Sequence, residues 1–90
     1  MGGEPLCDEN AFLTYLVIKE VKEKVPEAKV YIWTGYIYEE LEKRCHPQIK
    51  HSLELADFLI DGPYIEAERD ITLPMRGSRN QRIIDLKKKN

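Results

Sequence analysis

Cysteine is scarce in this 90-residue chain: there are two, Cys7 and Cys45, far apart. That excludes a disulfide-stapled scaffold, and neither belongs to a C-x-x-C pair, so both read as free thiols of a cytosolic protein. No apolar run approaches the roughly 18–20 residues of a membrane span. The N-terminus lacks the charged-then-apolar layout of a signal peptide. The cytoplasm is therefore the expected location, with no membrane partner. Charge of one sign is also missing: 14 basic against 16 acidic residues leave a net charge of −2, so no basic field draws the chain to nucleic acid. Lys87, Lys88 and Lys89 are a local exception and read as a solvated tail. His46 and His51 have no Cys or carboxylate set at ligand spacing, so they are surface residues in expectation and no metal site is assigned. Repeats and low-complexity linkers are absent too, which leaves one small domain.

What is present is an ordinary soluble composition, 42% hydrophobic and 33% charged. A domain of this size buries about 60–65% of its unfolded surface, so its stability is marginal unless a partner or a second copy covers apolar area. Residues 2–8 read as a loop, with Asp8 or a neighbour capping a helix. Apolar residues at 12, 13, 16, 17 and 21 follow the 3.6-residue period of a one-sided helix, with Lys19, Glu20, Lys22 and Glu23 on the other side and Pro26 ending it. Val30–Trp33 is a continuous β-favouring run, which predicts a strand covered on both faces as in a parallel sheet. A short helix over 39–44 and another opening at Pro47 follow, the latter carrying Ile49, Leu53 and Ala56. Phe58–Ile60 is a second apolar run, and Ile83–Leu86 closes the chain after a long polar loop. Alternation of this kind predicts an α/β fold, a small parallel sheet flanked by helices.

In parallel α/β sheets, ligands bind beyond the carboxyl ends of the strands. Four polar segments compete for that position: Gly2-Gly3-Glu4-Pro5, Thr34-Gly35-Tyr36, Asp61-Gly62-Pro63 and Arg76-Gly77-Ser78-Arg79-Asn80-Gln81-Arg82. Paired glycines let a backbone approach a ligand, and Glu4 offers a carboxylate to an ammonium group. Asp61 at a strand end suits vicinal ribose hydroxyls. Ser78, Asn80, Gln81 and the arginines form a donor set for carboxylate, phosphate or amide groups. Each segment also has a plain reading: Gly-Gly-Glu-Pro and Asp-Gly-Pro as turns, Thr34-Gly35 as a strand end, Trp33 and the tyrosines as packing residues. Taken alone, the residues describe a polar rim suited to an amino-acid-like or nucleoside-like ligand.

As an ordered set these motifs resemble the anaerobic ribonucleoside-triphosphate reductase activating proteins, which are radical S-adenosylmethionine activases. The resemblance runs through Gly2-Gly3-Glu4-Pro5-Leu6, Trp33-Thr34-Gly35-Tyr36 with Tyr38-Glu39-Glu40-Leu41, Asp57 to Tyr64, and Arg76-Gly77-Ser78-x-Asn80-Gln81-Arg82. It implies a partial open β/α barrel, a truncated form of the radical S-adenosylmethionine fold. It further implies reductive cleavage of S-adenosylmethionine at a four-iron four-sulfur cluster, yielding a glycyl radical on the anaerobic reductase, the implied partner. The implied cofactor-binding residues are Gly2, Gly3 and Glu4 toward the methionine amino group and Asp61 toward the ribose. Thr34, Ser78, Asn80 and Arg82 complete the set, with no catalytic side chain and no metal ligand among them. The family's C-x-x-x-C-x-x-C segment lies upstream of Gly-Gly-Glu and does not occur here. The expectation is therefore that residues 1–90 are the C-terminal portion of such a domain, hold no cluster and are inactive alone. Loss of a neighbouring strand leaves the edge at 30–33 unpaired, which implies a homodimer or larger assembly. The alternative functions are a non-enzymatic nucleoside- or S-adenosylmethionine-binding module and a unit docking the reductase through residues 64–82.

Overall fold

The computed structural model describes residues 4–87. A long helix α1 (Asp8–Lys24) leads into strand β1 (Tyr31–Trp33). Two short helices follow, α2 (Tyr38–Lys43) and α3 (Pro47–Leu55), then β2 (Phe58–Asp61). A loop holding one 3-10 turn (Glu66–Glu68) returns the chain to β3 (Arg82–Asp85). Pro47 opens α3 at the position where its missing N–H is not needed. The helix at 8–24 starts without a side-chain cap. Asp8, expected as the cap, instead pairs with Arg44 at 3.0 Å, and Arg44 lies over the Tyr36 ring, tying α1 to the end of α2.

The sheet has the order β1-β2-β3. β1 and β2 are parallel, with Ile32 opposite Leu59, as the two apolar runs imply. β3 runs antiparallel to β2, pairing Leu59 with Ile84 and Asp61 with Arg82, so the sheet is mixed and not wholly parallel. The cause is the connection: the 62–81 segment contains no crossover helix, and it turns the chain back at the same end of the sheet. Antiparallel β3 also brings the Arg76–Arg82 segment to the carboxyl end of β2. A parallel strand would have put it at the opposite end.

Alternation along the strands sends Ile32, Leu59 and Ile84 toward the helices. There Leu59, fully buried, meets Leu6, Ala11, Ile18, Leu41 and Ile49. Burial of one such side chain contributes about 2–3 kcal/mol. The opposite face carries Phe58 and Ile60 together with Tyr31, Trp33 and Ile83, the last three each more than a third exposed. β1 is thus covered on one face only, a departure from the two-sided burial its hydrophobicity suggests.

The larger departure concerns α1. Its packed side is Ala11 and Ile18, set against α3. Phe12, Leu13, Leu16, Val17 and Val21, the expected core stripe, are all exposed. Lys22, expected in solvent, turns inward instead: its ammonium donates to Asp57 Oδ2 and to the Ala28 carbonyl, at 2.8 and 2.9 Å. Asp57 Oδ2 also accepts the Val30 N–H at 2.8 Å. This ion pair fixes the entry of β1 against the start of β2. Burial opposes the charge on Asp57, but Lys22 and the Val30 N–H outweigh it and hold the carboxyl below the ordinary aspartate range.

Candidate functional site

The rim at the carboxyl ends of β1 and β2 gathers residues of all four polar segments, three of which lie wholly within the described residues. Glu4 is the first. Its carboxylate accepts the Thr34 hydroxyl at 2.5 Å, the Gly35 N–H at 2.6 Å and the Leu6 N–H at 3.0 Å. A Cβ at Gly35 would stand 3.4 Å from Glu4 Oε1, an ordinary contact, so the bond does not depend on a glycine at this position. Thr34 is buried, and its N–H donates to the Ile60 carbonyl, prolonging the parallel ladder by one step. Glu4 therefore clamps the N-terminal loop to the end of β1 through two residues that the sequence places thirty positions away. Gly2 and Gly3 lie outside the described residues.

Asp61 ends β2 and is 1% exposed. Its carboxylate accepts Arg82 Nε at 3.0 Å, a second bond from Arg82 Nη2, and the Tyr38 N–H at 2.9 Å, where α2 begins. Arg82 continues outward to Glu39 at 2.8 Å. Burial by itself would raise the Asp61 pKa; the guanidinium and the Tyr38 N–H outweigh it and lower it. Glu39 is lowered as well, chiefly by its hydrogen bond to Arg82, and the two carboxylates raise Arg82. Asp61 and Arg82, predicted as two separate ligand contacts, are thus one brace linking β2, β3 and α2. A ribose reaches Asp61 only when Arg82 moves aside.

Ser78 and Asn80 are also paired. The fully buried Ser78 hydroxyl donates to Asn80 Oδ1 at 2.6 Å and accepts the Ile65 N–H. Asn80 Nδ2 donates to the Pro63 carbonyl. Gln81 does more than a donor-set reading foresees. Its Oε1 accepts the N–H groups of Gly77 and Ser78, and its Nε2 donates to the Gly62 carbonyl. Gly62 sits at φ +100°, the left-handed region where a side chain is strained. Its N–H donates to the Tyr36 carbonyl at 2.8 Å, joining the two strand ends into one rim. The indole N–H of Trp33 donates to the Met75 carbonyl, drawing the loop over the open sheet face.

The rim is therefore built from side chains that satisfy one another, with part-exposed Glu4 and the half-exposed pair Arg82 and Glu39 among its accessible charges. Cys7 immediately precedes α1 and Cys45 follows α2 at φ 55°. Among the described residues no three His, Cys, Asp or Glu side chains gather as a metal-binding group. Two separated thiols do not fit a four-iron cluster, which takes three or four cysteinates at one point. A groove of about 760 Å³ lies elsewhere, between α2 and α3, and includes Cys45, His46 and His51. His51 is exposed, its ring 5.5 Å from that of Tyr15 and tilted against it, while His46 is partly buried with Nδ1 unpaired among the described residues.

The family described as "4Fe-4S single cluster domain" matches residues 1–84. The chain is similar to curated proteins named anaerobic ribonucleoside-triphosphate reductase-activating protein. The one from Haemophilus influenzae is 38% identical over 80 residues, 89% of this chain and 49% of that protein. The Vibrio cholerae protein is 32% identical over the same share, and that of Enterobacteria phage T4 is 33% identical over 82 residues. The chain spans about half the length of the curated relatives it matches. No solved structure matches significantly.

Proposed function

The chain belongs to the 4Fe-4S single cluster domain family, and from that premise we propose that it is the cofactor-side wall of an activating protein for anaerobic ribonucleoside-triphosphate reductase. The observation that carries this reading is the similarity of 80 residues to the named activating proteins. Its motifs coincide with the braced rim. Glu4, Thr34 and Gly35 form one end of that rim, Asp61 and Arg82 the other.

In this reading S-adenosylmethionine lies along the rim. Glu4, fixed by three hydrogen bonds and still part-exposed, presents negative charge to the methionine ammonium group. Asp61 acts as the anchor that aims Arg82 and meets ribose only once Arg82 has moved aside. Ser78, Asn80 and Gln81 hold the 62–81 loop in place, so their contribution to a cofactor is positional. The cluster would supply the electron that cleaves the sulfonium, and this chain's two cysteines do not hold one. Radical chemistry thus requires cysteines from outside residues 1–90.

The loop also favours docking as its own role. Ile71 is 83% exposed, with Tyr64 and Met75 exposed nearby in the same segment. An isoleucine so exposed on a hydrogen-bonded loop suits insertion into a partner's apolar pocket. Co-expression with the anaerobic reductase tests both parts. The expected result is co-purification, abolished by Ile71→Asp and retained by Glu4→Gln. A reductase that never associates with the chain overturns the partner assignment. S-adenosylmethionine binding by calorimetry, weakened at least tenfold by Glu4→Gln, tests the cofactor assignment separately.

A further inference from the structure

Gln81 stands one residue before Arg82, and the Gly62 it bonds stands one residue after Asp61, so its side chain touches the brace beside both of its members. The two ends of its amide have different tasks. Nε2 donates to the Gly62 carbonyl at 2.9 Å, on the rim. Oε1 accepts the N–H groups of Gly77 and Ser78 at 2.9 and 3.2 Å, on the returning arm of the loop. That arm belongs to a short antiparallel stem. Arg69 pairs with Ser78, the Asp70 N–H donates to the Gly77 carbonyl, and the Arg79 N–H donates to the Glu68 carbonyl. The stem presents the tip 71–76, which carries the exposed Ile71. One side chain therefore holds both the root of the docking tip and the turn that follows β2.

The tip is held in an unfavourable arrangement. Met75 sits at φ 62°, in the left-handed region that a residue with a side chain adopts only where its surroundings impose it. The Trp33 indole N–H holds it there, donating to the Met75 carbonyl at 2.7 Å in an exposed position. Next along the chain, Arg76 donates from Nη1 to the Gln81 carbonyl at 3.2 Å, while its Nε is buried without a partner among the described residues. A buried donor left unpaired keeps the full penalty of its desolvation. Two successive residues thus carry strain that a rearranged tip relieves, and the second of them is bonded to Gln81. At the brace itself Arg82 has a second place to rest. Its Nη2 already reaches Glu39 at 2.8 Å and the side chain is half-exposed, so it keeps one ion pair on leaving Asp61.

Given the docking role proposed for this loop, we propose that Gln81 is a positioning residue that couples docking of the reductase at the tip to opening of the Asp61 end of the rim. A partner that seats Ile71 draws the tip off Trp33 and lets Met75 and Arg76 relax. Arg76 and the Gly77–Ser78 arm carry Gln81 with them, the Gly62 bond breaks, and Arg82 shifts from Asp61 to Glu39. The carboxylate of Asp61, 1% exposed while Arg82 covers it, then becomes available to the hydroxyls of a nucleoside-like ligand. Linkage makes the effect reciprocal: a ligand that occupies the opened Asp61 tightens docking by the same factor. The cofactor thus meets this end of the rim while the acceptor protein is in place.

Residue-resolved amide exchange of the full chain, free and with excess anaerobic reductase, tests the coupling. The reporter is the Tyr38 amide, which lies outside the loop and donates to Asp61; Asp61 loses its anchor when Arg82 leaves. Association should speed Tyr38 exchange roughly fivefold or more in the wild type. Gln81→Glu keeps the acceptor for Gly77 and Ser78 but removes the donor to Gly62. Its Tyr38 rate with reductase bound should stay within about twofold of its own free rate. That ratio is the readout, because a merely structural loss shifts free and bound rates alike. Gln81→Met serves the same purpose should the first variant misfold. Association that leaves wild-type Tyr38 unchanged, or slows it, overturns the coupling while the docking assignment stands. Acceleration that persists in Gln81→Glu overturns the role of Gln81. A reductase that never associates refutes docking itself and the coupling with it.

Discussion

Replacing Asp61 by Asn keeps the shape of the side chain and removes its charge, which separates bracing from ligand contact. The wild-type carboxylate accepts two bonds from Arg82 and one from the Tyr38 N–H. Hydrogen bonds to a charged group contribute about 1.5–3 kcal/mol each against about 0.5–1.5 for neutral ones. The amide keeps one acceptor oxygen and turns an N–H₂ toward the guanidinium or the Tyr38 N–H. Arg82 is half-exposed, so solvent already screens its share, and a net loss of about 2 kcal/mol follows. For a domain of this size that is a fall in Tm of roughly 8–16 °C. Acid dependence supplies an independent signature. The folded Asp61 pKa lies below that of the unfolded chain. Its stabilisation is therefore fully present at neutral pH, above the unfolded value of about 3.9, and fades as pH falls through the folded pKa. Thermal melts followed by circular dichroism at pH 7 and again between pH 5 and 3 should show the variant's deficit shrinking with acid. A deficit under about 3 °C at pH 7, or one that does not change with pH, would refute the brace.

Asp57→Asn breaks the better-buried ion pair. Lys22 keeps the Ala28 carbonyl but loses its counter-charge, and a loss of about 3 kcal/mol is expected in urea unfolding, at the lower end for buried pairs. Because the Asp57 carboxyl is also held low, that deficit too should diminish below about pH 4. Gly62→Ala meets no hard contact, its Cβ lying 3.6 Å or more from its neighbours, yet the +100° φ should cost about 1–3 kcal/mol. Denaturant titration of that variant isolates the backbone term, and an unchanged midpoint would show that the turn can relax.

Much of the architecture is legible in the residues because short apolar runs and helix punctuation are local signals. Pro47, Pro26 and the runs at 30–33 and 58–60 mark their elements to within a residue or two. Strand direction is not local: Ile83–Leu86 reads alike in either sense, and only the helix-free return of the 62–81 segment makes it antiparallel. The α1 stripe misleads for a different reason. Periodicity reports that a helix has an apolar side, not what lies against it, and small Ala11 with Ile18 is what faces α3. The rim motifs stand out in the sequence, but their partners do not. That Glu4 answers Thr34 and Gly35, that Asp61 answers Arg82 and Tyr38, and that Lys22 answers Asp57 are pairings across 21 or more positions, set by the packed sheet. Glu39 stands in the Tyr38-Glu39-Glu40-Leu41 motif and in an acidic first turn, and neither mark names Arg82 as its partner.

The most direct measurement is the yield of 5′-deoxyadenosine after anaerobic reconstitution with iron and sulfide, followed by a reductant and S-adenosylmethionine. The chain alone should give none. Mixed with the half of the Haemophilus influenzae relative that this chain does not match, it should give 5′-deoxyadenosine above that half's own background. Turnover by the isolated chain with a stoichiometric cluster would contradict the proposal that residues 1–90 supply the cofactor-side wall and rely on cysteines from outside.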